Sequence, residues 1–378
     1  MIRLLHLSDV HLGARYDDFG AQADMRRQEV LDAFRGLTQV AEAAEVDAVL
    51  IAGDLFDSPT PSDYTLAVVR QTLRRLVDAG RPVFVIPGNN DAITCNPQLY
   101  ADQLGGAYIF RDPVFRTPVS VETAGGPLHV YGLAYDWARP EPLGTYRRAD
   151  APGAHVVLVH ACTSGMPNWR WYPNVLRLPA GWLNSVEADY VALGDSHWYR
   201  PPETFEDDRS RACYPGSFAA VDLSETGPRG WVIASIEQGA RPEVVPGACR
   251  ARPVFDVGEF DVRGSDSEEA LAVALVSNVP AGAVPTVMLV GEPTFPLQPE
   301  VLQAKLEQRF GCAKVVDRTR YAASSRLDTL TAQDTIAGHV IRLGRSRIDE
   351  TPAGEDEAAP EIAERALRLA LRTLRVDG

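Results

Sequence analysis

The sequence predicts an α/β fold built on a mostly parallel sheet. Short apolar runs alternate with helix-period segments over residues 2–86, the β-α-β-α-β order that a parallel sheet requires. Each run stops at a polar cluster of Asp, His or Asn, and open α/β sheets take their ligands at that edge. Composition agrees: 378 residues, 45% hydrophobic and 23% charged, suit a folded chain of more than one domain.

The elements follow in order. Residues 2–7 form a strand that ends at Ser8-Asp9. Residues 25–44 form a helix, because Val30, Leu31, Phe34, Leu37, Val40 and Ala41 recur at helical spacing. Residues 48–52 form a buried strand followed at once by Gly53-Asp54, and residues 64–77 are helical again. The third strand, 82–86, runs into Pro87-Gly88-Asn89. Beyond residue 105 the strands shorten to 128–133, 156–160, 190–193 and 231–236. Two of these end in His160 and in Gly194-Asp195-Ser196-His197, and a turn-rich stretch, 200–228, precedes the last.

Pro, Gly and Arg dominate residues 242–253, which read as a domain boundary. A small α+β domain follows, with helices at 267–276 and 299–310 and strands at 286–290 and 313–316. Residues 349–364 hold seven acidic side chains with Pro352, Gly354 and Pro360, the make-up of a flexible linker. Ile362, Ala363, Ala366, Leu367, Ala370, Leu371 and Leu374 then make one helical stripe, either docked on its own domain or bound to a partner. The expected domains are 1–245, 253–348 and the appendage 349–378.

Charge narrows the function. The chain carries 37 basic and 51 acidic residues, a net −14, and only Lys305 and Lys314 are lysines. It lacks the basic footprint of a stand-alone nucleic-acid binder, so metals, local patches or a partner would have to supply positive charge. Five scattered cysteines with no C-x-x-C pair exclude a disulfide framework and a zinc finger. No apolar run approaches the ~20 residues that span a bilayer. The first residues lack the apolar core of a signal peptide, so no membrane partner and a cytoplasmic location are expected.

Five clusters carry the chemistry, each just past a predicted strand. They are Asp9-Val10-His11, Gly53-Asp54-Leu55-Phe56-Asp57, Gly88-Asn89-Asn90-Asp91, His160, and Gly194-Asp195-Ser196-His197. Any one alone reads as a capped loop or a satisfied histidine. Together they offer oxygen and imidazole donors without thiolate, which suits Mn²⁺, Fe²⁺, Zn²⁺ or Mg²⁺ at a reactive centre. The glycines at 53, 88 and 194 are expected to allow the tight turns that swing each following side chain over the sheet edge.

The order D-x-H, GDxxD, GN-x-D, H, G-x-x-H resembles the calcineurin-like metallophosphoesterase superfamily. Within it, HLSDVHLG, IAGDLFDSPTPS, VFVIPGNND, YVALGDSH and YPGS-F are similar to the SbcD-type DNA repair nucleases. The likeness spans residues 1–235 and extends more weakly over 250–345. It implies a four-layer metallophosphoesterase sandwich, a small α+β capping domain and a C-terminal amphipathic, partner-binding helix. It implies two divalent ions, Mn²⁺ first, with Asp9, His11, Asp54 and His197 on one and Asp54, Asn89, His160 and Asp195 on the other. Two such ions clamp a phosphodiester and ready a water for in-line attack. Asp57 and Asp91 are expected to support ligands or turns. The resemblance further implies a subunit of a double-strand-break repair complex, with DNA and an SbcC-type coiled-coil ATPase as partners. It also implies a homodimer through helices near residues 25–45 and 62–79.

Two positions depart from the family pattern. The family's GNHD is here Gly88-Asn89-Asn90-Asp91, and Asn90 donates a hydrogen bond but cannot act as a general acid. The first His of the family's G-H-x-H is here Asp195, a third carboxylate that favours harder cations and weakens them as Lewis acids. Three functions follow: a DNA exo- or endonuclease, a pseudo-nuclease that positions DNA, and a phosphodiesterase of small nucleotides. Trp169, Arg170 and Trp171, and Arg15 with Tyr16 beside the D-x-H motif, are candidate DNA contacts. A loop packed over the sheet edge or a dimer contact is the alternative for the first group, and a plain surface for the second.

Overall fold

The structure, a computed structural model, describes residues 1–100, 104–136, 143–163, 175–179, 181–205, 211–295, 297–319 and 331–349, with Ala366. Trp169, Arg170, Trp171 and the stripe of 362–374 other than Ala366 lie outside the described residues.

Three apolar runs become β1 (Ile2–Leu7), β2 (Ala48–Ala52) and β3 (Val83–Ile86). They pair in parallel, with Leu4 opposite Ala48 and Val49 opposite Val83. Layers cover both faces, so every β2 and β3 residue is buried and the runs show no alternation. The first sheet is completed by β4 (Tyr108–Ile109), β10 (Gly230–Ile236) and β11 (Glu243–Ala248), in the order β11-β10-β1-β2-β3-β4.

The second sheet runs β5-β6-β7-β8-β9. It contains β5 (Val119–Thr123), β6 (Gly126–Leu133), β7 (Ala154–His160), β8 (Tyr190–Gly194) and β9 (Ala212–Cys213), parallel except for the β5–β6 hairpin. The two sheets face each other across one apolar layer. Leu4, Leu50, Phe84 and Val232 of the first share a core with Val130, Val156, Leu158 and Ala192 of the second.

Outer layers close the sandwich. Helices α1 (Ala23–Arg35), α2 (Leu37–Ala43) and α3 (Asp63–Asp78) link the parallel strands of the first sheet. Ser62 caps α3 by accepting from Thr65 N, and the helix buries Val68, Val69, Leu73 and Leu76. Each such side chain contributes about 1.5–3 kcal/mol. The far face of the second sheet presents Tyr131, Val157, Val191 and Tyr214. Loop residues Phe115, Tyr146, Leu176 and Leu178 and the short α4 (Trp182–Ser185) cover it.

Two expectations change. The single helix over 25–44 is divided at Gly36, whose N–H bonds back to Asp32 and Ala33 at ψ −11°. The apolar face continues across the break through the buried Leu37 and Ala41, so periodicity alone reads straight through it. Residues 242–253 are more than a boundary, because β11 lies within them and pairs antiparallel with β10. An edge strand needs no apolar alternation and tolerates Pro246, which cannot donate to a ladder.

Residues Met1–Phe255 with Gly282–Val284 make one compact unit, and Asp256–Ala281 with the chain from Pro285 make the other. The second unit has its own core of Val262, Leu271, Leu289, Leu302 and Leu306. It is built from β12 (Val254–Asp261), α5 (Glu268–Ser277), β13 (Val284–Val290), α6 (Pro299–Phe310) and β14 (Lys314–Asp317), and α7 (Ile336–Asp349) follows. Among the described residues no helix is long and apolar enough to cross a membrane.

Candidate metal centre

All five polar clusters meet at the carboxyl-terminal edges of the two sheets. Asp9 and His11 follow β1, Asp54 and Asp57 follow β2, and Asn89, Asn90 and Asp91 follow β3. His160 closes β7, and Asp195 and His197 follow β8. The loops after β1 and β2 are zipped by main-chain bonds from Asp9 N to Gly53 O (3.1 Å), Val10 N to Asp54 O (2.9 Å) and His11 N to Asp54 O (3.0 Å).

This convergence bends the backbone. Asp9, His11 and Asp54 sit at φ 49° and Asp195 at φ 93°, a left-handed region that non-glycine residues enter at some cost. Of the three glycines expected to make turns, Gly53 has the positive φ, 87°. Gly88 and Gly194 serve close approach instead. A Cβ on Gly88 would lie 2.1 Å from Asp54 Oδ1, and one on Gly194 would lie 1.8 Å from Ala52 O.

Three imidazoles point the same atom inward. His160 Nδ1 donates to Ala52 O at 2.8 Å, His11 Nδ1 donates to Asp57 at 3.1 Å, and His197 Nδ1 donates to Glu225. Each Nδ1–H is therefore committed, and each Nε2 lone pair faces the centre. His160 Nε2 lies 2.9 Å from Asn89 Oδ1, 3.6 Å from Asp54 Oδ2 and 3.8 Å from Asp195 Oδ1. His11 Nε2 lies 3.8 Å from Asp54 Oδ2, and His197 Nε2 lies 3.8 Å from Asp9 Oδ1.

The donors form two groups that share Asp9. Asp9, His11 and His197 bring one atom each within 4.8 Å of one another, and so do Asp9, Asp54 and His160. The arrangement fits divalent cations on chemical grounds. His11 Nε2 and His197 Nε2 are 3.1 Å apart, and two lone pairs at that distance repel unless a proton or a cation intervenes. Buried carboxylates beside inward-facing imidazoles, with no thiolate, form a donor set for Mn²⁺, Fe²⁺, Zn²⁺ or Mg²⁺.

Without a cation the side chains share protons. Burial opposes charge on His11, but Asp57, Asp54 and Asp9 outweigh it and raise its pKa to about 9. Burial opposes charge on His160 too, and Asp54, Asp9 and Asp195 raise it to about 9. Burial resists ionisation of Asp54, yet His160, His11 and two hydrogen bonds from Asn90 hold it below its usual value. Asp195 rises to about 6, because burial and the charges of Asp9 and Asp54 exceed the pull of His160.

Asn90 spends its donors inside the site. Its main-chain N–H donates to Asp54 Oδ1 at 2.9 Å and its amide Nδ2 donates to Asp54 Oδ2 at 2.5 Å. Asp91 is fully buried and accepts from Gly88 N (2.7 Å), Phe56 N (3.0 Å) and Tyr100 Oη (2.6 Å), which ties the β2 and β3 loops together. Asp57 touches His11 alone among the site histidines.

The candidate DNA contacts divide. Arg15 is exposed and pairs with Asp17 at 3.2 Å. Tyr16 is a correction: its ring is buried against Phe19 and under Arg26, so it presents no surface to a nucleic acid.

Sequence reasoning missed Glu225, Ser217 and Arg229. Glu225 is buried, and although burial resists its ionisation, the hydrogen bond to His197 lowers its pKa to about 2. Glu225 lies 28 positions from His197, inside the turn-rich stretch, and no local pattern marks it.

Fold and donor set together define a metal-dependent phosphoesterase. A profile of the calcineurin-like phosphoesterases matches residues 2–199, and the chain belongs to that family of phosphoester hydrolases. Among curated relatives, the chain is 31% identical over 273 residues to the DNA double-strand break repair protein Mre11 of Haloferax volcanii, a match covering 71% of this chain and 57% of that one. It is 32% identical over 246 residues to the Mre11 of Halobacterium salinarum, covering 65% and 59% respectively. The chain thus spans little more than half the length of these relatives.

Proposed function

We propose that this protein is a two-metal DNA nuclease of the SbcD and Mre11 type, hydrolysing phosphodiester bonds during break repair. The observation that carries the reading is the trio of Nε2 atoms of His11, His160 and His197. Each is fixed by a committed Nδ1–H and aimed at the shared carboxylates Asp9 and Asp54. Asp9, His11, Asp54 and His197 would hold one ion, and Asp54, Asn89, His160 and Asp195 the other. The bound ions, Mn²⁺ first, would supply Lewis acidity that readies a water and offsets charge building on the phosphate.

The chain's own residues do the rest. Asp57 and Ala52 O lock the tautomers of His11 and His160. Asp91 fixes the loop that presents Asn89 and Asn90. Asn90 steadies Asp54 and offers no proton to a departing oxygen. The second unit would act as a cap, the acidic net charge favours action beside a partner such as an SbcC-type coiled-coil ATPase, and family resemblance alone suggests a homodimer in the cytoplasm.

A second reading, the pseudo-nuclease, rests on the same asparagine, because its main-chain N–H and its amide nitrogen both donate to Asp54 and it offers no acidic proton. One assay separates the two. Labelled duplex and single-stranded DNA and bis-p-nitrophenyl phosphate are incubated in Mn²⁺ with wild type, Asp54→Ala and Asn90→His. The nuclease reading expects cutting by wild type, none by Asp54→Ala, and a gain of about 10²-fold or more in Asn90→His, the usual worth of a general acid. A wild type that binds metal yet cuts nothing, revived by Asn90→His, establishes the pseudo-nuclease.

A further inference from the structure

Glu225 is buried and its two oxygens have separate duties. Oε1 accepts from His197 Nδ1. Oε2 accepts from Ser217 Oγ at 2.9 Å and from Val221 N at 3.1 Å. Arg229 braces the same corner: its Nη1 donates to His197 O and to Ser217 Oγ at 3.3 Å, and its Nη2 donates to Thr226 O at 3.2 Å. The segment is also tied to the neighbouring ligand loops. Ser217 N donates to His197 O at 3.1 Å and Phe218 N donates to Asp9 O at 3.1 Å. The stretch after β9 contributes no donor atom to the centre, yet it grips the main chain of Asp9 and both ends of His197.

We propose that Glu225 is the positioning residue for one metal position, the one built from Asp9, His11 and His197. The carboxylate holds the His197 ring with Nε2 toward the cation and makes that nitrogen a better donor. His160 takes its orientation from Ala52 O instead, so the position of Asp54, Asn89, His160 and Asp195 does not depend on Glu225. Loss of Glu225 therefore weakens one ion and spares the other. The inference rests on the metal site of the proposed function, but its test reads metal and not cleavage.

The test is calorimetric titration of the metal-free protein with Mn²⁺, for wild type, Glu225→Gln and Glu225→Asp, with melting of each metal-free form as a folding control. Glu225→Gln keeps the shape and an acceptor but loses the charge. Wild type should take up two ions. Glu225→Gln should lose affinity for one by about 10- to 100-fold, the usual effect of removing such a partner, with the other unchanged. Glu225→Asp, which keeps the charge, should recover part of the loss. Unchanged binding of both ions in Glu225→Gln, or an equal loss of both, overturns the role of Glu225. A wild type that binds no Mn²⁺ overturns the metal-site reading itself. If Glu225→Gln melts far below wild type without metal, Glu225→Asp decides: weaker binding of one ion alone at wild-type stability supports positioning, and affinities that are unchanged or uniformly weakened overturn it.

Discussion

His6 and His11 are both buried, five residues apart, and burial opposes a proton on each, yet the outcomes are opposite. His6 bonds Tyr190 Oη at 2.9 Å inside the sandwich, and burial lowers its pKa to about 3. His11 faces carboxylates that overcome the same penalty. For His6 the sign is clear. The unfolded chain takes up a proton near pH 6.5 and the folded chain does not, so stability is whole above that value and is lost as pH falls toward 3. Between about pH 6.5 and pH 5 the loss from this one group is about 2 kcal/mol. Urea unfolding at about pH 7 and about pH 5 checks it: the acid loss should be smaller by roughly that amount in His6→Leu. An equal loss in both proteins would clear His6. At this scale the candidate ligands were legible because Asp9, Asp54, Asn89, His160 and His197 each stand at or just past the end of an apolar run. Glu225 was not, because folding alone brings it to His197 across a turn-rich stretch. The work of Asn90 was legible only in part. Its chemistry rules out acid catalysis, but its grip on Asp54 comes from the folded geometry.

Strand ends and the turns after them do the aiming. Gly88 has no positive φ, so an alanine there meets no backbone strain of its own, but its methyl would meet the Asp54 carboxylate at 2.1 Å and the Asp54 main-chain nitrogen at 2.5 Å. Gly88→Ala should therefore move Asp54 and weaken Mn²⁺ binding by at least about tenfold, the scale seen when a ligand's support is disturbed. Gly144→Ala, with nothing within 4 Å of its new methyl, is the control. Equal affinity in the two variants would show that the loop yields without consequence. The elements themselves were largely readable: α6 keeps the span expected from its spacing, and Ser267 caps α5 at the expected start. What misled was periodicity in one place and composition in the other. Gly36 breaks a helix whose apolar face runs on, and Pro246 sits in a strand because that strand is an edge.

Across the whole molecule, charge and architecture pull on different problems. A net charge of −14 opposes the approach of a polyanion. Binding of duplex DNA by this chain alone should be weak in EDTA, strengthen with Mn²⁺, and vary little with added salt, since few cationic side chains would displace counterions. Fluorescence anisotropy over a salt series measures this, and tight, steeply salt-dependent binding in EDTA would contradict it. The architecture has its own consequence. Asp9, His11, Asp54 and Asn89 belong to the first sheet, whereas His160, Asp195 and His197 belong to the second. An ion held by both sets rivets one sheet to the other, and only the folded chain offers that grip. Each ion present at a hundred times its dissociation constant adds about 2.7 kcal/mol to the folded state. If the site binds ions in this way, their supply would affect survival as well as chemistry: a starved cell would hold a chain that opens more often and is cleared sooner by proteases.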